Sequence, residues 1–191
     1  MAKNDNAVLL PGTGAVLVGE VGTALKPTYA ALALFQSAGT LPSGFTDLGH
    51  TSNDDLPQFG QDGGDSTTKA TWQTKSFREI ITAAAVDYVT AQPLQLDNTV
   101  LNLYYGGGSS SAAYSYDLPD VAATINKSLC LCFFDGVSVW GFYAYKTSVR
   151  RDDAIAMASD DFTKLPLRFT ILQAAGQKRA SWIGYGLGIG S

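Results

Sequence analysis

Charge is what this sequence has least of. Of its 191 residues only 16% are Asp, Glu, Lys or Arg, against about 25% in an average soluble domain. The balance is acidic, net −4 with a pI near 4.8. That argues against a protein that grips nucleic acid through its phosphates, because such a grip needs Lys/Arg patches. There is one histidine, His50. Without a Ser/His/Asp or Cys/His set, or a second histidine to share a metal, a structural or surface role is expected for it and enzyme chemistry is not. The two cysteines, Cys130 and Cys132, stand two apart on one strand face, a poor arrangement for a disulfide, and lack the second pair or nearby His of a zinc site. They read as reduced core thiols of a protein made in a cytoplasm. No apolar run reaches about 18 residues, so no membrane span is expected, and Met1–Asn6 lack the apolar core of a signal peptide. The sequence therefore calls for no cofactor and no metal.

What is present is apolar and turn-rich: 46% hydrophobic residues and 20 glycines. That composition, in a chain long enough for one domain with a substantial core, indicates an all-β protein with buried interfaces. Its centre is the stretch from Leu129 to Tyr145, where Asp135-Gly136 separates two apolar runs, a strong hairpin signal. Leu129, Leu131 and Phe133 point one way and Cys130, Cys132 and Phe134 the other. On the return strand Val137, Val139, Tyr143 and Tyr145 oppose Trp140, Phe142 and Ala144. A free-standing antiparallel sheet usually keeps one polar face, so this hairpin must be covered twice, by its own chain or by another copy.

Around it the chain divides into an N-terminal arm (1–13), a β domain (14–175) and a Gly-rich tail (176–191). Ala15–Ala24 reads as a strand; Gly12-Thr13-Gly14 is no dinucleotide fingerprint, since Leu17 stands at the third glycine position. Tyr29–Phe35 fits a strand or a helix, and its length does not decide. Phe45–Ser52 reads as a short strand, and residues 53–66 as a long loop of turn chemistry. That loop carries Asp54, Asp55, Asp62 and Asp65 but not the spacing of an EF-hand, and loops this long are usually functional or disordered. Thr67–Ile81 reads as one long strand with a mostly polar face, and Ala84–Gln95 as a second with Pro93 near its end. Asp97 is placed to cap a helix over about 97–105 that stops at Gly106-Gly107-Gly108, with Val100, Leu101 and Tyr104 on one face. Arg150–Ala158 reads as a strand whose Arg150-Arg151-Asp152-Asp153 cluster pairs internally or across an interface. Leu165, Leu167, Phe169 and Ile171 alternate with polar residues in a half-buried strand.

Three collinear stretches carry a resemblance: Phe45-Thr46-Asp47-Leu48-Gly49-His50-Thr51-Ser52 with the loop after it, Leu96-Asp97-Asn98-Thr99-Val100-Leu101-Asn102-Leu103-Tyr104-Tyr105-Gly106-Gly107, and Asp160–Leu172. In this order they resemble the major tail tube proteins of long-tailed phages, particularly those infecting actinobacteria. The resemblance implies a mainly β, sandwich or barrel-like fold with one flanking helix, and a virion protein that forms stacked hexameric rings around a channel for DNA. The implied partners are further copies of the chain, a tape measure protein, and tail terminator and distal tail proteins; DNA passes without specific binding. On this reading Thr68, Thr71, Gln73, Thr74, Asp87 and Thr90 are expected on a net acidic channel wall, with Lys69, Lys75 and Arg78 partly opposing that charge. Leu9, Leu10, Pro11, Asp54, Asp55, Asp62, Asp65, Arg150, Arg151 and Asp152 are expected at contacts between subunits or rings. The alternatives are a secretion-system tube, a head-completion or decoration protein, or a ligand-binding or hydrolytic β-sandwich. The last would need exposed aromatics in a groove, whereas Trp72 and Trp140 sit in strand patterns more typical of core.

Overall fold

The computed structural model describes residues 8–110, 112–136 and 138–184. In chain order the elements are β1 (Thr13–Gly19), α1 (Tyr29–Ala38), β2 (Phe45–Asp47), β3 (Gln58–Asp62), β4 (Ser66–Lys69), β5 (Arg78–Ile81) and β6 (Val86–Ala91). There follow α2 (Asn98–Tyr105), β7 (Ile125–Asp135), β8 (Ser138–Arg151), β9 (Leu167–Ile171) and β10 (Ala180–Gly184). One antiparallel sheet runs β2-β1-β7-β8-β9-β6-β3, with β10 also paired to β8, and β4-β5 form a separate two-stranded sheet. The protein is mainly β, as its composition indicates, but two helices flank the sheet rather than one.

The long β7–β8 hairpin is the spine, and its two apolar faces are covered by this chain itself. Leu129, Leu131, Phe142 and Ala144 join Val16, Val89, Phe169 and the buried side of α2 in the larger core. Cys130, Cys132, Phe134, Val139 and Tyr143 join Leu17, Leu32 of α1 and Phe45 in the smaller one. A second copy is therefore not needed to cover the hairpin, and any case for assembly rests on other surfaces. The turn lies one residue later than the Asp-Gly signal suggests: Asp135 pairs with Ser138 across the ladder, and Gly136 takes the positive φ of 56°. Asp135 stays in the strand, its carboxylate accepting from the amide of Leu10 at 3.1 Å. Val137 lies outside the described residues. Further along, the register slips between Lys127 and Leu129, so that Ser128 faces two residues of β8. Such a bulge reverses the alternation of the bulged strand. Even-numbered Phe142 and Ala144 face the larger core before it, and odd-numbered Val149 after it.

Tyr29–Ala38 resolves as a helix. The hydroxyl of Thr28 accepts from the Ala31 amide at 3.2 Å and Gly39 closes the last turn, end signals that outweigh ambiguous periodicity. The Asp97 cap is present, its carboxylate accepting from the Val100 amide at 2.8 Å. The buried face of α2 is Val100, Leu103 and Tyr104, with Leu101 only partly buried.

Four strand expectations change. Thr67–Ile81 is not one strand but the short hairpin β4-β5. Fifteen residues fully extended would span about 50 Å, and with few apolar side chains on either face nothing holds them to a core. Instead the chain reverses where the amide of Thr74 bonds both the carbonyl and the hydroxyl of Thr71, at 3.2 and 3.1 Å. The acidic loop contains β3, which pairs with β6 from Gln58↔Thr90 to Asp62↔Val86. Arg150–Ala158 is not a strand of its own; β8 ends at Arg151, where Asp152 follows. The Gly-rich end begins with β10, paired to β8 from Ala180↔Ala144 to Gly184↔Trp140, and residues 185–191 lie outside the described part. The strands at Phe45, Ala15 and Ala84 are shorter than expected, and the alternation of Leu165, Leu167, Phe169 and Ile171 is as expected, all four buried.

Tyr143 ties the smaller core together. Its phenol, 2% exposed, donates to the carbonyl of Ala24 at 2.6 Å. Burial first, then repulsion from Tyr145, pushes its ionisation from 10.0 up to about 12. Because the folded value lies above the unfolded one, the associated stability is fully present below pH 10 and is lost as pH rises towards 12. Tyr143→Phe leaves a buried carbonyl without its donor, a cost of about 1–3 kcal/mol. Urea titrations at pH 7 are expected to show that loss, and the variant's stability is expected to fall less steeply than wild type above pH 10.

Candidate assembly interface

Large apolar side chains stand exposed on the β4-β5 hairpin. The ladder runs from Ser66↔Ile81 to Lys69↔Arg78 and pairs with no other strand among the described residues. Around its turn and along its return strand stand Trp72, 99% exposed, Phe77 at 67% and Ile81 at 73%. Trp72 is thus not a core residue: at the reversal it has no sheet beneath it. The hairpin carries Lys69, Lys75 and Arg78 against Glu79 alone, a basic finger on an acidic protein. Thr68, Thr71, Gln73 and Thr74 all lie on it and are exposed. Asp87 and Thr90 lie on β6, in the main sheet, so the six proposed wall residues do not share one surface.

The main sheet has its own polar face. On β6, Val89 and Ala91 enter the larger core, which by alternation puts Tyr88 and Thr90 on the other side. Beside them in β9 are Arg168 and Thr170, in register with Thr90 and Tyr88 respectively. The Arg168 guanidinium sits 3.5 Å from the centroid of the Tyr88 ring, a cation–π contact. It also pairs with Asp62 and lies 3.8 Å from a carboxylate oxygen of Asp152. Gly60 makes room for this stack: a Cβ there would fall 2.3 Å from Cζ of Tyr88. Asp87 accepts from Gln61 at 3.1 Å and pairs with Arg179 at 3.0 Å. The loop's Asp55 pairs with Lys164 at 2.9 Å, which also holds Asp161 at 3.0 Å. The hydrogen bonds that Lys164 donates to Asp55 and then Asp161 raise its ionisation, and the second of these lowers that of Asp161.

Of the residues expected at contacts, then, Asp55, Asp62 and Asp152 are engaged within the subunit. Asp54, Asp65, Arg150 and Arg151 stand with no ion pair among the described residues, and all four are exposed; the backbone carbonyl of Asp65 accepts from the Thr82 amide at 2.8 Å. Arg168 and Tyr88 organise the polar face, and Arg179 pairs with Asp87 on the other side of β6; sequence pattern singles out none of the three. His50 is exposed, and its backbone carbonyl accepts from Leu94 at 2.8 Å. Cys130 and Cys132 are free, buried thiols with sulfurs 4.0 Å apart; their mutual hydrogen bond, then burial, raises the ionisation of Cys132.

Residues 1–187 match the family model described as phage tail tube protein. The chain belongs to that family. It is also similar to the major tail protein Gp23 of Mycobacterium phage L5 and to that of Mycobacterium phage D29. Each is 41% identical over 187 residues, covering 96% of this chain and 93% of the relative. This tail tube protein is accordingly a structural component of the virion tail that assembles with itself into a tube, and not an enzyme. No helix among the described residues is long and apolar enough to cross a membrane.

In a tail tube protein the N-terminal arm acquires a definite anchor. The amide of Gly12 donates to the carbonyl of Phe134 at 3.0 Å, and Leu10 is held by Asp135. Beyond that tie Leu9 is half-buried, whereas Pro11 is exposed, as are Val8 and Leu10, at 71% and 75%. Residues 1–7 lie outside the described part, so the rest of the arm is not placed. Among the described residues the sheet is open at both ends of its strand order and along β10, which pairs with β8 alone. β2 lies at one edge and β3 at the other, each a row of unpaired backbone groups of the kind that soluble monomers normally blunt.

Proposed function

We propose that the subunit forms stacked hexameric rings whose joined sheets enclose a channel through which DNA passes without specific binding. The observation that carries this is the β4-β5 hairpin. A lone two-stranded hairpin is marginal in water, and three large apolar side chains on it stand 67–99% exposed. A neighbouring copy that covers Trp72, Phe77 and Ile81 resolves both. Ring closure also removes the β2 and β3 edges, since a head-to-tail contact that closes leaves no strand unpaired.

The polar sheet face bearing Thr90, Tyr88 and Thr170 supplies the channel wall, in place of the hairpin threonines. Asp62 and Asp152 engage Arg168, so that guanidinium is not offered to phosphate, while Arg150, in register beside it on β8, has no ion pair among the described residues. The tape measure protein occupies the bore before DNA does, and the tail terminator and distal tail proteins close the two ends of the tube.

Electron microscopy of the purified protein tests this reading. Long hollow tubes with sixfold rings are expected, and a protein that stays monomeric at high concentration contradicts it. The arm is assigned to contacts between rings: deleting residues 2–11 is expected to leave a folded subunit, judged by its thermal melt, that no longer forms tubes. Tubes from the truncated protein would show that the arm is dispensable.

A further inference from the structure

The finger needs a socket, and the subunit carries one. Between the 50–54 segment and residues 161–164 lies a groove of about 580 Å³, within the size of clefts that hold a large side chain or small ligand. Leu94 and Phe162 line it, Phe162 being 76% exposed, while Asp54 and Asp161 stand at its rim. Lys164, the one basic lysine or arginine in the lining, is already held by Asp55 and Asp161, so the groove presents apolar surface under surplus negative charge. The hairpin presents the complement, apolar surface under surplus positive charge. With its three cations set aside, the remaining ten Lys and Arg face sixteen Asp and Glu elsewhere.

We infer that the β4-β5 hairpin of one copy docks into this groove of the next, with Trp72 against Phe162 and Lys75 facing Asp54. The inference deepens the tube reading above and rests on it. Trp72 is almost fully exposed, so it does not fill the groove of its own chain. A neighbouring groove of about 310 Å³ on the other side of the 50–53 segment is lined without a carboxylate, so charge favours the first over this neighbour. One finger and one socket on different parts of each copy make a head-to-tail contact, which propagates without limit unless a ring closes it. Charge complementarity of this kind sets register and speeds encounter, and it weakens as salt screens it.

The test uses two full-length chains of different tag length, one carrying Gln73→Cys and the other Asn53→Cys, mixed before assembly. A disulfide requires Cα atoms within about 7 Å, so a mixed dimer is expected in tubes at about ten times the yield of a control pairing Gln73→Cys with Ser109→Cys. Tubes that give no excess of the mixed dimer over the control overturn the socket assignment. A charge swap provides the second measurement. Lys75→Glu and Asp54→Lys are each expected to lower tube yield, and the chain carrying both is expected to recover it. A double variant that melts like wild type yet stays below either single variant overturns the pairing. If the wild-type chain forms no tubes at all, the tube reading itself fails, and the inference with it.

Discussion

Replacing Trp72, Phe77 and Ile81 together with serine is expected to abolish tubes while leaving the subunit's own unfolding free energy within about 0.5 kcal/mol. All three side chains are largely in water in the subunit, so their removal takes little from its core. In the proposed docking they are buried against the next copy, where each large apolar side chain contributes about 1.5–3 kcal/mol. Losing even two such anchors weakens each contact by about 4 kcal/mol, roughly a thousandfold in the concentration at which tubes form. Sedimentation and negative-stain microscopy read the assembly, and urea unfolding reads the subunit. Tubes formed at the wild-type concentration would remove the hairpin from the interface. A large drop in subunit stability would show that its apolar residues pack inward after all.

Phe169→Ala is expected to do the reverse, lowering subunit stability by about 3–5 kcal/mol. Phe169 is fully buried, and in β9 it stands in register with Val89 on one side and Val149 on the other. Its loss opens a cavity in the larger core where three strands meet, and close-packed surroundings refill such a space only in part. Thr170→Ala, one residue along and on the polar face, is expected to change stability by no more than about 0.5 kcal/mol. A denaturant series on the two variants separates the faces of the sheet. Equal effects would contradict the assignment of Phe169 to the core and Thr170 to the surface.

Much of this architecture is legible residue by residue. The opposed faces of β7 and β8 follow from strict alternation, and so does the buried side of β9, because a period of two has one physical meaning once a strand is long. Asp97 announces α2 because a carboxylate before an apolar turn has one obvious use. Thr28 and Gly39 bracket α1 in the same way, although the apolar run between them does not discriminate helix from strand. What is not legible depends on distant residues. The exposure of Trp72 follows from a reversal written in two threonines, whose hydrogen bonds no period reveals. β3 hides among glycine and aspartate because its only apolar anchor is Phe59, which meets Phe142 and Trp182 far along the chain with ring centroids 4.9 and 5.3 Å away. Arg168 and Asp62 are 106 residues apart, so nothing local links them. The two-sided apolar hairpin, read alone, leaves open whether the second cover comes from a neighbour; α1 supplies it.

The account comes down to a subunit whose core is complete and whose finger is not. Amide hydrogen exchange, followed for residues 66–81 in the dissociated subunit and in assembled tubes, tests that most directly. A two-stranded ladder without a third partner opens readily. These amides are therefore expected to exchange rapidly in the subunit and slowly in the tube, while β7 and β8 are protected in both. Equal protection of residues 66–81 before and after assembly would contradict the account.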